Sequence, residues 1–238
     1  MKQKIISWMR ARLKEAGAAG IVVGLSGGID SSVVACLAKE AAGKSRVLGL
    51  LLPCHSQKAD LEDAKLVATK LGIRTKMVDL TDIYDSLLEV LPAAGNMAKA
   101  NLKPRLRMLV LYYFANKLNY LVCGTGNKSE ISLGYFTKHG DGAADILPIG
   151  DLLKKEVREL AEELGIPGRI ITKPPTAGLW PGQTDEGEMG ITYAELDDIL
   201  GRIESKKSQI ISGEKVKKVK TMMRRSAHKR EGPRICYI

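Results

Sequence analysis

Short apolar runs alternate with segments of helical periodicity along most of the chain. The apolar runs predict five strands, at 20–25, 46–53, 74–80, 119–125 and 145–149, and the periodic segments predict helices near 31–42, 59–71, 81–91, 101–118 and 151–164. Short buried strands separated by helices of this length are typical of a parallel sheet covered on both faces. We therefore predict an α/β fold: a doubly wound, mostly parallel five-stranded sheet with helices on both faces.

The N-terminal segment has the pattern of an amphipathic helix, with Ile5, Trp8, Met9 and Leu13 along one side. It lacks the apolar core and cleavage site of a secretory signal, so export is not expected. No apolar run approaches the ~20 residues that cross a bilayer, so no membrane partner is expected either.

The helix predicted at 101–118 is apolar on more than one side in its later part, LVLYYFANKL. Asn101 is placed to cap this helix, and Pro104 falls in its first turn, where a missing N–H costs nothing. An apolar surface on several sides predicts that the helix packs against a partner as well as against the sheet.

The charge of the chain is concentrated at its C-terminal end. Residues 206–238 hold eleven Lys and Arg against two acidic residues, so nearly all of the net charge of +10 lies on this basic tail. Such a tail fits a solvated helix face, an RNA contact or a clamp on a small polyphosphate. The charge alone does not choose among these three.

Cysteine and histidine are too scattered for a metal or disulfide framework. The four cysteines are Cys36, Cys54, Cys123 and Cys236, and none forms a CxxC pair. This usage favours a reducing compartment, and we expect a cytoplasmic protein without zinc.

A glycine-rich segment, 24-GLSGGIDSS-32, separates the first predicted strand from the following helix. Its spacing fits neither a dinucleotide fingerprint nor a Walker loop. A glycine-rich turn ahead of a helix N-terminus still suits phosphate, because backbone amides and the helix dipole attract anions. Asp30 would repel phosphate unless a divalent cation bridges the two. The alternative is an ordinary turn in which Ser31 or Ser32 caps the helix.

A second polar segment follows the fourth predicted strand and carries Glu130. The carboxyl ends of parallel strands meet at one edge of a sheet, so Glu130 is expected near Asp30, and the two carboxylates predict a Mg²⁺ site. Lys154 lies in the first turn of the helix predicted at 151–164, with Asp151 as its cap. A lysine there opposes the helix dipole, which makes sense if that helix start faces phosphate; the alternative is a surface lysine that is tolerated at a small cost.

Two loops are further candidates for function. Lys138, Asp141 and Asp145 lie in a polar, glycine-containing loop, which fits either a binding loop or an ordinary surface turn. Residues 173–190 contain three prolines and four glycines, and a loop of this length is more often a lid than a connector.

The SGGIDSS segment resembles the pyrophosphate loop of the N-type ATP pyrophosphatases, whose fold is of the adenine nucleotide alpha hydrolase type. Together with 101-NLKPRLRM-108, 124-GTGNKSE-130, 134-GYFTKHGDGAADILPIGDLLK-154 and 174-PPTAGLWPGQTDE-186, the chain is similar over nearly its entire length to the ammonia-dependent NAD synthetases. The resemblance implies one domain over 1–238. The glycine, proline and charge content of a loop near 173–190 and of the basic tail near 205–238 predicts that both are mobile until substrates bind.

The resemblance also implies a role for each residue that matches a family motif. The implied ATP-binding residues are Gly24, Leu25, Ser26, Gly27, Gly28, Ile29, Asp30, Ser31, Thr125, Lys154 and Thr176, and the implied ligands of Mg²⁺ are Asp30 and Glu130. The implied deamido-NAD-binding residues are Arg105, Lys138, Asp145, His228 and Lys229. The implied catalytic residues are Asp141, at the ammonia site, and Lys154.

The implied reaction is the ATP-dependent amidation of deamido-NAD with ammonia. It passes through an adenylate and releases AMP and pyrophosphate. The expected partners are these small molecules and a second copy of the chain in a homodimer, with no nucleic acid. Free ammonia, and not glutamine, is the expected nitrogen source. Two rivals are an RNA-modifying ATP pyrophosphatase that holds RNA with the basic tail, and a non-catalytic nucleotide-binding module.

Overall fold

Four parallel strands form the sheet of the computed structural model, which describes residues 1–180, 182–205 and 213–236. The strands are β1 Gly20–Gly24, β2 Val47–Leu51, β3 Arg74–Met77 and β4 Tyr120–Cys123, in the spatial order β3-β2-β1-β4. In register, Ile21 of β1 lies opposite Val47 of β2 and Leu121 of β4. The chain leaves β3 at one edge and returns beside β1 as β4, so the strand order switches at the carboxyl ends of β1 and β4.

Helices connect the strands and extend the fold beyond β4. The described helices are α1 Lys2–Glu15, α2 Ile29–Ala42, α3 Lys58–Leu71, α4 Thr81–Val90, α5 Asn96–Ala100, α6 Leu102–Leu118, α7 Lys128–Leu133, α8 Lys154–Glu163, α9 Gly168–Ile171, α10 Asp185–Met189, α11 Tyr193–Glu204, α12 Glu214–Arg225 and α13 Ala227–Arg230, with a 3₁₀ turn at Lys44–Arg46. None of the described helices has both the length and the apolarity of a membrane span.

Alternate residues of the strands enter two hydrophobic cores, one on each face of the sheet. Ile21 and Val23 pack with α1, α2, α3 and α8, whereas Val22 packs on the other face with residues of α4 and α6. This alternation follows from the two-residue period of side chains along a strand. The predicted α/β class, parallel sheet and two helical layers are therefore confirmed.

The prediction of a fifth strand at 145–149 is wrong. Ile146 makes a single parallel bridge to Cys123, and its carbonyl oxygen accepts a hydrogen bond from the Gly124 amide at 2.9 Å. Pro148 has no N–H to donate to a ladder, and the Gly150 amide turns back to the Leu147 carbonyl oxygen at 3.1 Å. The segment therefore pairs with the edge of β4 at Asp145 and Ile146 and then turns away.

Two helix predictions also need correction. The helix predicted from Asp151 begins three residues later, at Lys154, and Asp151 is an exposed residue that pairs with Lys128 at 3.0 Å. On α1 the buried residues are Ile6, Met9 and Leu13, whereas Trp8 is 40% exposed. The predicted apolar side of α1 therefore includes Trp8 wrongly and omits Ile6.

A third core lies beyond the sheet and includes much of the basic tail. Its buried residues include Leu133 of α7, Tyr193 and Leu196 of α11 and Val219 of α12. The described tail is thus helical over Glu214–Arg225 and Ala227–Arg230, and Val216 and Val219 of α12 are buried in this core. Residues 206–212 and 237–238 lie outside the described part of the chain, so the structure does not test the prediction of mobility there.

Candidate active site

The glycine-rich segment joins β1 to α2 at the centre of the sheet. Leu25 continues the ladder by donating its amide to the Leu50 carbonyl oxygen at 2.8 Å, and α2 begins after Gly28 without a side-chain cap. The hydroxyls of Ser31 and Ser32 instead donate to the Gly28 carbonyl oxygen, at 3.0 and 2.8 Å. The alternative of a serine-capped turn is therefore wrong. The first amides of α2 have no partner within the helix and suit an anion.

Gly27 serves the packing of this loop and does not line the cavity. Its φ angle is +81°, and a Cβ atom built there would lie 2.2 Å from the carbonyl oxygen of Asp60 on α3. Any side chain at this position would both strain the backbone and push α3 away. The glycine therefore fixes the distance between the loop and α3.

Lys154 joins two carboxylates that come from different parts of the sheet edge. Its Nζ lies 2.5 Å from Asp30 Oδ2 and 3.4 Å from Glu130 Oε1, and its side chain is 2% exposed. We call Asp30, Glu130 and Lys154 the floor cluster. Asp30 and Glu130 therefore come together at this edge of the sheet, as predicted, and both contact Lys154.

Burial and the attraction between opposite charges shift the pKa values of Glu130 and Lys154 in opposite directions. Burial raises the pKa of Glu130 to about 7, and the neighbouring Asp30 carboxylate adds to this, while Lys154 pulls the pKa back down. For Lys154 burial lowers the pKa, but the attraction of Asp30 and Glu130 outweighs it, so the pKa stays above its usual value. The lysine is therefore a permanent cation at this point.

Asn127 ties the floor cluster together, and the sequence analysis missed it. This fully buried side chain donates Nδ2–H to Asp30 Oδ1 at 2.9 Å and accepts the Glu130 amide at 3.0 Å. The Glu130 carboxylate accepts the Asn127 amide in return, which completes a capping box at the start of α7. The N-x-x-E spacing was the available signal.

The donor set of the floor cluster fits Mg²⁺ bound together with a phosphate. Among the described residues there is no group of three or more His, Cys, Asp or Glu side chains arranged for a metal. Magnesium is usually held by only one or two carboxylates, and water and substrate phosphates complete its shell. Asp30 and Glu130 supply such a pair beside the anion-binding loop.

A cavity of about 630 Å³ opens above the floor cluster. Its wall brings together most of the residues that the family resemblance implies for ATP, including Gly24 to Ser26, Gly28 to Ser31, Thr125 and Thr176. Asp141 and Lys229 also line it. Arg105, Lys138, Asp145 and His228 are not among the lining residues.

Three of these four residues form a separate group at the protein surface. Arg105 donates to the carbonyl oxygen of Lys138 at 3.3 Å, and Lys138 Nζ donates to the carbonyl oxygen of His228 at 2.5 Å. Lys138 also donates to the Glu231 carbonyl oxygen at 2.9 Å. This group connects α6 to the tail on the outer side of the cavity.

Asp145, the fourth residue, is held against β4. Its Oδ2 accepts the Val122 amide at 2.7 Å, and its Oδ1 accepts the Tyr112 hydroxyl at 3.1 Å. Burial, followed by the nearby Asp145 charge, raises the pKa of Tyr112 to about 12. The tyrosine therefore stays protonated and remains a donor to this carboxylate.

Asp141 lies between cationic groups on the cavity wall. Its Oδ1 accepts the Thr137 amide at 2.8 Å, and burial raises its pKa despite that bond and the charges of Arg107 and Lys229. Arg107 was missed in the sequence, although it lies within the NLKPRLRM segment. It donates Nε–H to the Leu52 carbonyl oxygen at 3.1 Å.

The segment 173–190, which we call the lid loop, is anchored by several contacts, of which three are the following. Lys173 pairs with Asp60 and Asp63 of α3, each at 2.7 Å, and we call these three residues the rim cluster. Lys103 of α6 donates to the Leu179 carbonyl oxygen at 2.8 Å.

The third anchor of the lid loop is Tyr135, which lies after α7. Its hydroxyl is 2.5 Å from Glu188 Oε2 and 3.2 Å from Asp185 Oδ1, at the end of the loop. None of the three anchoring contacts has a local sequence signal, because each joins distant segments.

Fold and site together define a parallel α/β protein with a loop suited to an anion and a cavity at its topological switch point. A family model described as NAD synthase matches residues 1–233. The chain therefore belongs to the NAD synthase family.

Relatives agree with this assignment over nearly whole chains. An NH(3)-dependent NAD(+) synthetase of Archaeoglobus fulgidus is 50% identical, and the match covers 99% of this chain and 96% of the relative. The structure of the NMN synthetase from Francisella tularensis is similar with a TM-score of 0.92 at 39% identity, covering 100% of this chain and 97% of that one. The NH3-dependent NAD synthetase from Campylobacter jejuni, solved with a nitrate ion, has a TM-score of 0.86 at 31% identity, covering 99% and 97%.

Proposed function

We propose that this chain is an enzyme that makes NAD from deamido-NAD, ATP and ammonia, with AMP and pyrophosphate as the other products. The observation that carries the proposal is the floor cluster beside the anion-binding loop, in a chain of the NAD synthase family. A bare nicotinate carboxylate is a poor acyl donor, because its oxide is a bad leaving group. ATP solves this problem by converting the carboxylate into a mixed anhydride with AMP, from which AMP is a good leaving group.

In the first step a carboxylate oxygen of the nicotinate attacks the α-phosphorus of ATP, and the bond to the β-phosphate oxygen breaks. Negative charge grows on the departing pyrophosphate, and the amides of Gly28 to Ser31 together with Lys154 are placed to offset it. Mg²⁺ held by Asp30 and Glu130 would add positive charge at the same phosphates. Thr125 and Thr176 supply hydroxyls on the cavity wall.

In the second step ammonia replaces AMP on the acyl carbon. The Asp141 carboxylate accepts a proton from bound ammonium, which frees the nitrogen lone pair for attack. AMP leaves with the electrons of the C–O bond, and the amide nitrogen releases one more proton to water. The raised pKa of Asp141 makes this carboxylate a better proton acceptor than an exposed one.

The dinucleotide is proposed to extend from the cavity to the surface group of Arg105, Lys138 and His228, with Lys229 on the cavity wall between them. Cationic groups suit its phosphates, and Asp145 is an acceptor for hydroxyls. The tail thereby contributes two of its basic residues to substrate binding. This use of the tail is the alternative to a solvated face or an RNA contact.

A homodimer is proposed to complete this surface. Arg105, Leu109 and Tyr113 follow one another at four-residue spacing on α6, and Leu109 and Tyr113 are 59% and 61% exposed. Such large apolar side chains beside a substrate-binding arginine suit a two-fold interface. Sedimentation at twice the mass of one chain is expected, and Leu109→Glu should shift the protein to monomers. A fully active wild-type monomer would contradict this.

A nicotinate mononucleotide is a second candidate acceptor. The observation that favours it is the similarity to the Francisella tularensis NMN synthetase over the whole chain. The two acceptors share the nicotinate carboxylate and differ only in the adenylate portion. Measuring kcat/KM for both acceptors with one enzyme preparation separates the two functions.

The test of the proposal is a mixture of protein, MgATP, acceptor and ammonium, assayed for the amide and for pyrophosphate. Amide formed only when all components are present is the expected result. Pyrophosphate release stimulated by RNA and not by either acceptor would favour the RNA-modifying rival. Absence of pyrophosphate release with all components would favour the non-catalytic rival.

Free ammonia is proposed as the nitrogen source, and glutamine should not replace it. Glutamine hydrolysis needs an activated nucleophile, normally a cysteine thiolate. Cys36, Cys54 and Cys123 are buried, and burial raises the pKa of each thiol, which keeps them protonated. Glutamine freed of ammonium, compared with ammonium chloride, checks this; equal rates would break it.

A further inference from the structure

We propose that Tyr193 and Asp197, one turn apart on α11, are positioning residues that hold Glu130 and Lys154 in their working places. The proposal rests on the proposed function, because the roles of Glu130 and Lys154 come from it. Glu130 and Lys154 lie in the first turns of two different helices, α7 and α8. Without a shared support, their separation would depend on two independent loops.

Asp197 connects the starts of both helices. Its side chain is 2% exposed, and its Oδ1 accepts the Ser129 hydroxyl at 2.5 Å while its Oδ2 accepts the Lys155 amide at 2.9 Å. The Ser129 oxygen in turn accepts the Lys154 amide at 3.0 Å. Ser129 precedes Glu130 directly, so one buried carboxylate fixes the backbone beside both residues of the floor cluster.

Tyr193 supports the side chains of the same two residues. Its ring is fully buried, and Lys154 Nζ lies 4.9 Å from the ring centroid. Its hydroxyl lies 3.3 Å from Glu130 Oε1 and 3.1 Å from Asp185 Oδ2. The hydroxyl has one proton and donates to one carboxylate at a time. Tyr193 therefore also joins the floor cluster to the lid loop, where Asp185 lies.

Packing alone does not account for this arrangement. Buried positions of α11 include Leu196, Ile199 and Leu200, which supply the apolar face of an amphipathic helix. A carboxylate and a phenol hydroxyl on that face cost desolvation, which their hydrogen bonds to the site offset. The four-residue spacing places both polar groups on the same side of the helix.

Three variants test the proposal by removing different contacts. Tyr193→Phe keeps the buried ring and removes only the hydroxyl. Asp197→Asn keeps the shape of the side chain and removes its charge, and Ser129→Ala removes the same connection from the other end if Asp197→Asn does not fold. The matched controls are Tyr120→Phe, whose hydroxyl meets Arg74, and Asp198→Asn, whose exposed carboxylate pairs with Arg202.

We expect kcat to fall about tenfold in Tyr193→Phe and about 100-fold in Ser129→Ala or Asp197→Asn, because small misplacements of reacting groups are costly. The dissociation constant of MgATP, measured by calorimetry without an acceptor, should rise about threefold or more in these variants. Both controls should stay within about twofold of the wild type. Melting temperatures measured on the same samples separate misplacement from unfolding.

A double-mutant cycle distinguishes positioning from a general structural role. If Tyr193 acts through Glu130, the loss of MgATP affinity in Tyr193→Phe should largely disappear in the Glu130→Gln background. Additive losses, or wild-type kcat and affinity in both Tyr193→Phe and Ser129→Ala, would overturn the proposal. If the protein binds MgATP but forms neither NAD nor nicotinamide mononucleotide, the proposed function is wrong. The double-mutant cycle can still be measured in that case.

Discussion

Lys154 in the floor cluster and Lys173 in the rim cluster each join a pair of carboxylates. Lys154 lies 2.5 and 3.4 Å from Asp30 and Glu130, and Lys173 lies 2.7 Å from both of its partners. The distances are similar, but the Lys154 side chain is 2% exposed and the Lys173 side chain is 23% exposed. Burial of the lysine, and not contact distance, separates them, because the carboxylates are similarly buried: 18% exposed for Asp30 and Glu130, against 21% for Asp60 and 11% for Asp63.

The difference in burial decides what each cluster can do. Water and salt reach the partly exposed Lys173 at the rim and weaken its ion pairs, which would suit a loop that opens for substrates. In the buried floor the loss of one partner leaves a charge uncompensated, so its charges stay paired until other charges replace them. Phosphate and Mg²⁺ together are such a replacement.

The largest expected effect is on turnover. Asp30→Asn and Glu130→Gln should each lower kcat on the order of 10³-fold, about 4 kcal/mol, because the Mg²⁺ that would offset the charge of the departing pyrophosphate loses a carboxylate ligand. The same chemical change at the rim, Asp63→Asn, should change kcat less than about tenfold. Steady-state rates with retained circular dichroism spectra provide the measurement. Near-normal turnover of either floor variant would remove the metal assignment.

The next largest effect is on stability. Lys154→Met should lower the free energy of unfolding by about 3 kcal/mol, because two carboxylates remain buried without a counter-charge. Lys173→Met should lower it by less than about 1 kcal/mol. Urea unfolding of the two variants beside the wild type gives both values. Equal losses would show that burial does not distinguish the clusters.

The two clusters should also respond to pH with opposite signs. Burial raises the pKa of Glu130 from 4.5 to about 7, so its stabilising contribution is complete below pH 4.5 and is lost as the pH rises through about 7. Burial raises the pKa of Asp63 too, but Lys173 and Arg169 outweigh it and hold the pKa below 3.8. The contribution of Asp63 is therefore complete above pH 3.8 and is lost as the pH falls below that value.

The measurement for this pH dependence is the free energy of unfolding of the ligand-free protein between pH 5 and 8. The wild type should lose up to about 3 kcal/mol across that range, and Glu130→Gln should remove most of the dependence. Asp63→Asn should leave the dependence in this range unchanged. A wild type that becomes more stable toward pH 8 would contradict the sign.

The smallest expected effect is that of salt on the rim. Raising sodium chloride from about 0.1 to 1 M shortens the Debye length from roughly 10 to 3 Å and should weaken the contacts of Lys173. The KM for MgATP should then change about twofold in the wild type and not in Lys173→Met. Both proteins have an intact floor cluster, so an equal response would place the effect elsewhere.

Local and general rules were enough to predict most of the sheet and the floor carboxylates. The glycine-rich loop was recognisable from its own composition, and the convergence of Asp30 and Glu130 follows from the geometry of parallel strands. The prediction of a fifth strand at 145–149 was wrong because it rested on the apolar residues and neglected Pro148, which cannot donate a hydrogen bond to a ladder.

The supports of the site had no comparable signal. Asp197, Tyr193 and Lys173 act through contacts between segments that are far apart in sequence, and their residue types are ordinary on helix surfaces and in loops. Asn127 is the exception, because its N-x-x-E spacing with Glu130 is a local capping pattern. Sequence patterns therefore predicted the groups that would meet the substrates better than the groups that hold them.

Asp60 meets the glycine-rich loop and the lid loop with different atoms. Its carbonyl oxygen is what a Cβ atom at Gly27 would strike at 2.2 Å, and its carboxylate pairs with Lys173 at 2.7 Å. A displacement of the loop by bound phosphate would therefore move the anchor of the lid through one rigid residue. By thermodynamic reciprocity, a closed lid would then favour the loop conformation that binds phosphate by the same free energy.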